Sequence, residues 1–191
     1  GDGQSVAELI ARADNAMYRA KEAGGNLVRF YDREMDDSVG HLLAVENRLY
    51  EALRLGEFVL HFQPKVDFGT LAINGAEALL RWYHPERGLV SPAEFIPVAE
   101  RSSLIIDLGN WILREACRSL KHIQEAGYPD FSMAINVSPL QVVRHDFVSE
   151  VADALATSGI PPQSLQLEIT EAVFIKDPER ALEILNRLVA L

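Results

Sequence analysis

Oxygen-bearing side chains recur along the strands predicted for the second part of the sequence. Strands are predicted at residues 58–66, 73–82, 131–137 and 165–169, and side chains alternate between the two faces of a strand. One face collects the polar side chains at or just beyond these strands: His61, Gln63, Lys65, Glu77, Arg81, Asn136, Glu168 and Thr170. Glu77, Asn136 and Glu168 are oxygen donors on three strands, and such a set suits Mg²⁺ or Mn²⁺ better than zinc.

The opposite face of the same strands is apolar. Its side chains are Ala76, Ala78, Leu80, Met133, Ile135, Val137, Leu165, Leu167 and Ile169. Helices are predicted at residues 92–100, 105–126, 147–158 and 178–191, where they would cover this face. The alternation of strands and helices predicts βα units and an α/β fold with a largely parallel sheet.

The polar face has two interpretations on the residues alone. It could simply meet water, as one face of many sheets does. Helices along one face of a parallel sheet instead usually imply a barrel or a second helical layer, and polar residues near the strand ends then gather at the mouth of a site.

Composition narrows the class of partner and compartment. The chain has 191 residues, of which 28 are acidic and 18 basic, for a formal net charge of −10. The basic residues are scattered, which argues against a nucleic-acid polymer as partner. The single Cys117 excludes an internal disulfide and a cysteine-built zinc site, and we interpret it as a buried apolar residue. A reducing compartment fits, so we expect the cytoplasm or the cytoplasmic face of a membrane-anchored parent protein.

Two short segments precede the strand-rich part. A capping box from Ser5 and a helical period predict a helix that ends at Gly24, and residues 27–31 predict a short strand. Apolar residues spaced by three and four from Arg33 to Gly56 predict an amphipathic connector helix. We therefore divide the chain at 1–32, 33–56 and 57–191, and expect it to be a piece of a longer protein, because the first segment is too small for its own core.

A series of short motifs runs in order through residues 58–191. Residues 62–64 read FQP, 77–82 read EALLRW, 84–88 read HPERG and 91–97 read SPAEFIP. Residues 136–138 (NVS) and 168–171 (EITE) match an N-x-S and an E-x-T-E pattern. Together these motifs resemble the opening of the EAL domain, the cyclic di-GMP phosphodiesterase module. Several motifs in the right order make the resemblance specific.

The resemblance implies a fold, a reaction and a metal requirement. The fold would be a modified TIM-like (β/α)₈ barrel whose first strand is antiparallel to the rest. The reaction would be the hydrolysis of one phosphodiester bond of cyclic di-GMP to give linear pGpG. Two Mg²⁺ or Mn²⁺ ions would activate a water and stabilise the phosphate charge. Motif matching makes Glu77, Asn136 and Glu168 metal ligands, with Glu77 as the catalytic residue.

The same motifs imply roles for four further residues. Arg81 would contact a substrate phosphate, where a guanidinium fork suits the oxygens. Gln63 would lie near a guanine, and Leu79 would line the pocket. Glu171 would support the metal ligands without binding the metal itself.

The resemblance covers only part of the family's domain. A barrel of this kind needs roughly 250 residues, and residues 57–191 supply little more than half of them. The family's later motifs, namely the D-D-F-G-T segment, a lysine and a glutamate from a late strand, are not in this sequence. We therefore expect a partial barrel that is inactive alone. Through its open edges it should self-associate as a homo-oligomer, or else remain partly molten.

The first segment has its own resemblance. Residues 13–21 (ADNAMYRAK) and 24–26 (GGN) resemble the final helix and turn of the GGDEF domain, the diguanylate cyclase module that often precedes EAL. Lys21 matches a family lysine that meets a nucleotide phosphate, whereas Gly25 replaces the family's usual arginine. We interpret residues 1–32 as the remnant of an α/β GGDEF domain, with that domain and sensory domains upstream in the same polypeptide.

Two non-enzymatic alternatives remain on the sequence. The protein could be a cyclic di-GMP receptor that signals through the connector helix, or an interaction module that no longer binds nucleotide. The presence of Glu77, Asn136 and Glu168 favours the enzyme, and Gln63 and Arg81 would not be needed by a module without nucleotide.

Overall fold

The computed structural model describes residues 45–144, 146–171, 173 and 178–191, together with ten separate residues between 6 and 31. Contacts divide the chain into two units, Gly1–Arg48 and Leu49–Leu191. In the first unit, the described residues between 6 and 17 are helical, as the sequence predicts. A short strand was predicted at 27–31, but the described residues 28, 30 and 31 are not in a strand. Residues 27 and 29, the GGDEF-like residues 18–26 and the connector before residue 45 lie outside the described residues. Residues 45–55 form helix α1.

The second unit contains a five-stranded mixed sheet. Its strands are β1 (Phe58–Val66), β2 (Ile73–His84), β3 (Gly88–Val90), β4 (Ser132–Val137) and β5 (Leu165–Ile169). The order is β1-β2-β4-β5, and β3 pairs with β2. β1 and β3 are antiparallel to β2, whereas β2, β4 and β5 run parallel. The predicted α/β fold and its antiparallel first strand are confirmed.

The helices follow the strands as the alternation predicts. They are α2 (Pro92–Arg101), α3 (Leu104–Glu125), α4 (Pro139–Val142), α5 (Phe147–Ser158) and α6 (Pro178–Val189). The four predicted helices are confirmed to within two residues at each end. The four-residue α4 and a 3₁₀ helix at Pro162–Ser164 were not predicted. Within the described ranges, every helix is too short or too polar to span a lipid bilayer.

The apolar strand face packs as predicted in the middle of the sheet. Ala76, Ala78 and Leu80 of β2 are buried, and so are Met133, Ile135 and Val137 of β4. Helix α3 brings the fully buried Leu108, Ala116 and Leu120 into the same core. Apolar burial of this kind supplies most of the free energy that holds such a layer together.

Strand β5 departs from the prediction. Leu165, Leu167 and Ile169 were expected to be buried, but all three are only half-buried. Among the described residues β5 is the last strand of the sheet and pairs with β4 alone. An edge strand has fewer neighbours to cover its side chains. The predicted alternation of faces along β5 can therefore be right although its apolar side chains are less buried than expected.

Strand β2 continues two residues beyond its predicted end. It does so because β3 pairs with it, Trp82 opposite Val90 and His84 opposite Gly88. Gly88 has a φ of +69°, a conformation that glycine adopts without steric cost. The buried Trp82 ring packs on Phe58 and Phe95 with centroids 5.9 and 5.7 Å apart. These contacts join the carboxyl half of β2 to the start of β1 and to α2.

Candidate active site

Three oxygen-bearing side chains lie on one face of neighbouring strands, as the alternation predicts. Asn136 on β4 is directly opposite Glu168 on β5, so their side chains share a face. The Asn136 Nδ2 donates a hydrogen bond to Glu77 Oε1 on β2 at 2.5 Å. Glu77 and Glu168 are half-buried and Asn136 is exposed. The fold therefore brings the predicted metal ligands together on an accessible surface.

Lys65 shows that this sheet is curved. Its Nζ donates to Glu168 Oε1 at 2.7 Å and lies 3.4 Å from Gln166 Oε1. Lys65 is on β1 and Glu168 on β5, which are at opposite ends of the strand order. In a flat sheet three strand spacings would separate them by roughly 14 Å. A direct contact requires the sheet to curl, with the polar side chains on its concave side.

The predicted substrate-binding residues lie around these groups. Gln63 on β1 is exposed and pairs in register with Glu77. Leu79 and Arg81 follow Glu77 at intervals of two along β2, so all three share one face. Arg81 donates from one terminal nitrogen to the Leu80 carbonyl at 2.9 Å. This bond holds the guanidinium beside the carboxyl half of the strand.

A cavity of about 450 Å³ opens at the carboxyl ends of β2, β4 and β5. Its lining includes Leu79, Arg81, Asn136, Glu168 and Thr170. A larger cavity of about 620 Å³ is lined only by residues of α3 and α5. The smaller cavity is the candidate site, because Asn136, Glu168 and Arg81 line it and ligands of parallel sheets bind at the carboxyl ends of strands. Glu77 is not part of the lining and is joined to it through its bond with Asn136.

Three of the predicted residues, Gln63, Glu77 and Glu171, do not line the cavity. Gln63 and Glu77 lie on the strands beside it, whereas Glu171 lies beyond them. It lies in the turn after β5 and is exposed. Cys117 is 1% exposed, and burial raises the pKa of its thiol to about 11, although a hydrogen bond with Ser158 lowers it. A thiol with this pKa is protonated at neutral pH, which agrees with a packing role rather than a nucleophilic one.

Glu100 and Ser138 were not among the predicted site residues. Ser138 Oγ donates to Glu100 Oε1 at 2.9 Å, and both residues line the cavity. Ser138 is also the N-cap of α4, with Gln141 completing a capping box. The S-x-x-Q spacing at 138–141 is a signal for this turn that the sequence alone contains.

The oxygen donors of the site are of the kind that bind a divalent metal ion. Within the described ranges, His, Cys, Asp and Glu side chains form no group of three or more that could hold a metal. The available ligands are instead two carboxylates and one amide, those of Glu77, Glu168 and Asn136. These are hard oxygen donors, and Mg²⁺ commonly takes only a few protein ligands and keeps several waters. The residues therefore fit Mg²⁺ or Mn²⁺.

The chain is similar in sequence to known proteins along its whole length. Over 191 residues the chain is 40% identical to the Pseudomonas aeruginosa bifunctional diguanylate cyclase/cyclic di-GMP phosphodiesterase MucR, covering all of this chain and 28% of MucR. It is 34% identical over 187 residues to the cyclic di-GMP phosphodiesterase NbdA of the same organism, covering 98% of this chain and 24% of NbdA. The chain thus spans about a quarter of the length of these curated relatives.

A solved structure and a family model also match this chain. The structure of the PaMucR phosphodiesterase in complex with c-di-GMP aligns with a TM-score of 0.74 and 39% identity, covering 77% of this chain and 60% of that one. The EAL domain family model matches residues 46–191, which contain the whole sheet and the cavity. On this evidence the chain belongs to the EAL domain family.

Proposed function

We propose that the protein containing this chain is a metal-dependent phosphodiesterase that hydrolyses one phosphodiester bond of cyclic di-GMP to give linear pGpG. One observation carries the proposal: Glu77, Asn136 and Glu168 share the concave side of a curved sheet, beside a cavity lined by Asn136, Glu168 and Arg81. Family membership and the phosphodiesterase names of MucR and NbdA support it.

Glu77, Asn136 and Glu168 would hold Mg²⁺ or Mn²⁺. When bound, such an ion lowers the pKa of a coordinated water and neutralises charge on a phosphoryl oxygen. The Asn136 amide, which donates to Glu77, fixes the orientation of that carboxylate. Partners of this kind set the geometry of metal ligands in many sites.

The remaining predicted residues would bind the substrate. Arg81 offers two parallel N–H donors for a phosphate of cyclic di-GMP. Gln63 would hydrogen-bond a guanine edge from the exposed side of β1, and Leu79 would give the pocket an apolar wall. Glu171, in the turn after β5, would support the metal ligands through that turn.

We also propose that residues 57–191 form the first half of a TIM-like (β/α)₈ barrel. The curl required by the Lys65–Glu168 contact supports this, as does the antiparallel first strand. If later strands complete the site, this chain alone would be inactive. Metal ligands act as a unit, so their contributions to the rate are not additive and the loss of several removes nearly all of it.

The open edges of the sheet favour self-association. β1 and β5 each pair with one other strand in the described part of the chain. Phe68 and Leu71, beside the end of β1, are 96% and 76% exposed. We expect light scattering to find the isolated chain as a homo-oligomer, and a monodisperse monomer would contradict this.

The first segment is proposed as the end of a GGDEF domain. Support comes from the motif at residues 13–26 and from the match to MucR, whose name includes diguanylate cyclase and which aligns with all of this chain. An upstream GGDEF domain, sensory domains and a cytoplasmic location follow as parts of the same proposal.

A cyclic di-GMP receptor without catalysis is the second candidate. Lys65 favours it, because its ammonium already neutralises Glu168, one of the proposed metal ligands. The two candidates share the binding of cyclic di-GMP and differ in whether it is converted.

One experiment separates them. The full-length protein is incubated with cyclic di-GMP and Mg²⁺ or Mn²⁺, with a chelator as control, and the products are resolved by mass spectrometry. Metal-dependent pGpG supports the enzyme. Tight binding of unchanged cyclic di-GMP with both metals supports the receptor, and the 191-residue chain is expected to give no pGpG.

A further inference from the structure

Ser138 follows Asn136 by two residues and is held by hydrogen bonds from both its backbone and its side chain. Its Oγ donates to Glu100 Oε1 on α2 at 2.9 Å. Its backbone N–H donates to Gln141 Oε1 at 3.1 Å, and its carbonyl accepts from the Gln141 N–H at 2.9 Å. The end of β4 is thereby fixed by two neighbouring helices.

Gln141 is polar and only 5% exposed. A polar side chain at such a position normally has a hydrogen-bonding reason, because burying an unpaired amide is costly. Here the reason is the bond from the Ser138 N–H, which would otherwise lack an intrahelical partner at the start of α4. The amide must therefore lie in one orientation.

Gly109 on α3 provides the space for that amide. A Cβ added at Gly109 would overlap the side-chain amide of Gln141. Gly109 is buried inside a 22-residue helix, where glycine is intrinsically less favourable than alanine. The missing side chain therefore has a packing role, which is to admit Gln141.

We propose that Gly109 and Gln141 are positioning residues for Asn136. Gly109 admits the Gln141 amide, the amide fixes Ser138, and Ser138 fixes the end of β4 from which Asn136 reaches Glu77. The inference rests on the proposed role of Asn136 as a metal ligand. Residues that orient metal ligands typically contribute 10- to 100-fold to metal affinity or activity.

Mn²⁺ binding to the full-length protein, measured by calorimetry, tests this together with pGpG formation. Gly109→Ala and Gln141→Met are each expected to raise the Mn²⁺ dissociation constant about 10-fold. The double variant is expected to match the single ones, because both changes break the same contact. The control is Cys117→Ala, a buried change on the same helix that lies two turns from Gly109 and should leave Mn²⁺ affinity unchanged.

Thermal unfolding without metal separates positioning from general damage. A role in stability alone would lower the unfolding temperature of Gly109→Ala and leave its Mn²⁺ affinity at the wild-type value. That result would overturn the inference, as would equal losses of affinity in Gly109→Ala and Cys117→Ala.

The same data distinguish the inference from the proposed function. A wild type that binds Mn²⁺ but makes no pGpG contradicts the proposed function, while the variants still test the positioning by their Mn²⁺ affinities. A wild type that binds no Mn²⁺ overturns both.

Discussion

The two faces of β2 and β4 are built from alternate residues of the same segments, yet they meet different surroundings. Ala78 and Ile135 are each 3% exposed and pack into the core. Their neighbours Glu77 and Asn136 point to the other face and bond to each other across the strands. The residues of the core face must be apolar and fit a close-packed layer, whereas the residues of the polar face are under few such constraints. The polar set is therefore free to be chosen for binding and chemistry.

The largest expected difference between the faces is in stability. Ile135→Ala should lower the free energy of unfolding by about 2–5 kcal/mol, because it leaves a cavity in a close-packed layer. Asn136→Ala, one residue away, should lower it by no more than about 1 kcal/mol, since that side chain is exposed. Urea unfolding of both variants measures the two values. Equal losses would show that the faces are not distinct.

Cys117 offers a pH test of the buried side. Its thiol pKa is raised from 9.0 to about 11, so the native state retains a proton that the unfolded chain releases. This contribution to stability is fully present below about pH 9 and is lost as the pH rises through 11. Between pH 8 and 10 the free energy of unfolding should fall by roughly 1 kcal/mol. The same titration of Cys117→Ala should lack this part of the decrease.

Substitution of Lys65, on the polar face, has the smallest expected effect on stability. The Lys65 and Glu168 side chains are 36% and 40% exposed, and hydrated pairs contribute less than about 1 kcal/mol. Lys65→Met should therefore change the free energy of unfolding by less than that amount. It should also strengthen Mn²⁺ binding, because a competing positive charge leaves Glu168. Weaker Mn²⁺ binding in this variant would assign Lys65 a supporting role in the site.

Much of the fold was predictable because it depends on local patterns. Apolar residues at every second position located the four long strands, and apolar residues spaced by three and four located the four predicted helices. The alternation of side chains along each strand placed Glu77, Asn136 and Glu168 on one face. β3 and α4 have three and four residues, too few for a period to show. The half-burial of β5 depends on the number of neighbouring strands, which a local pattern does not contain.

The contacts of the site were less predictable than its residues. The Lys65–Glu168 contact joins positions 103 residues apart and depends on the curl of the whole sheet. The Glu100–Ser138 bond depends on how α2 packs beside the end of β4. Only the S-x-x-Q capping box was local, and it could have been recognised from the sequence.

The activity of Glu77→Gln tests the central claim most directly. The substitution removes one negative charge at nearly constant volume, and it is measured in the full-length protein with cyclic di-GMP at limiting Mg²⁺. Glu86→Gln, the same change on an exposed turn residue, is the matched control. We predict that Glu77→Gln abolishes pGpG formation with an unchanged unfolding temperature, while the control retains wild-type turnover. Wild-type turnover in Glu77→Gln would contradict the account and leave the polar face as a solvated surface.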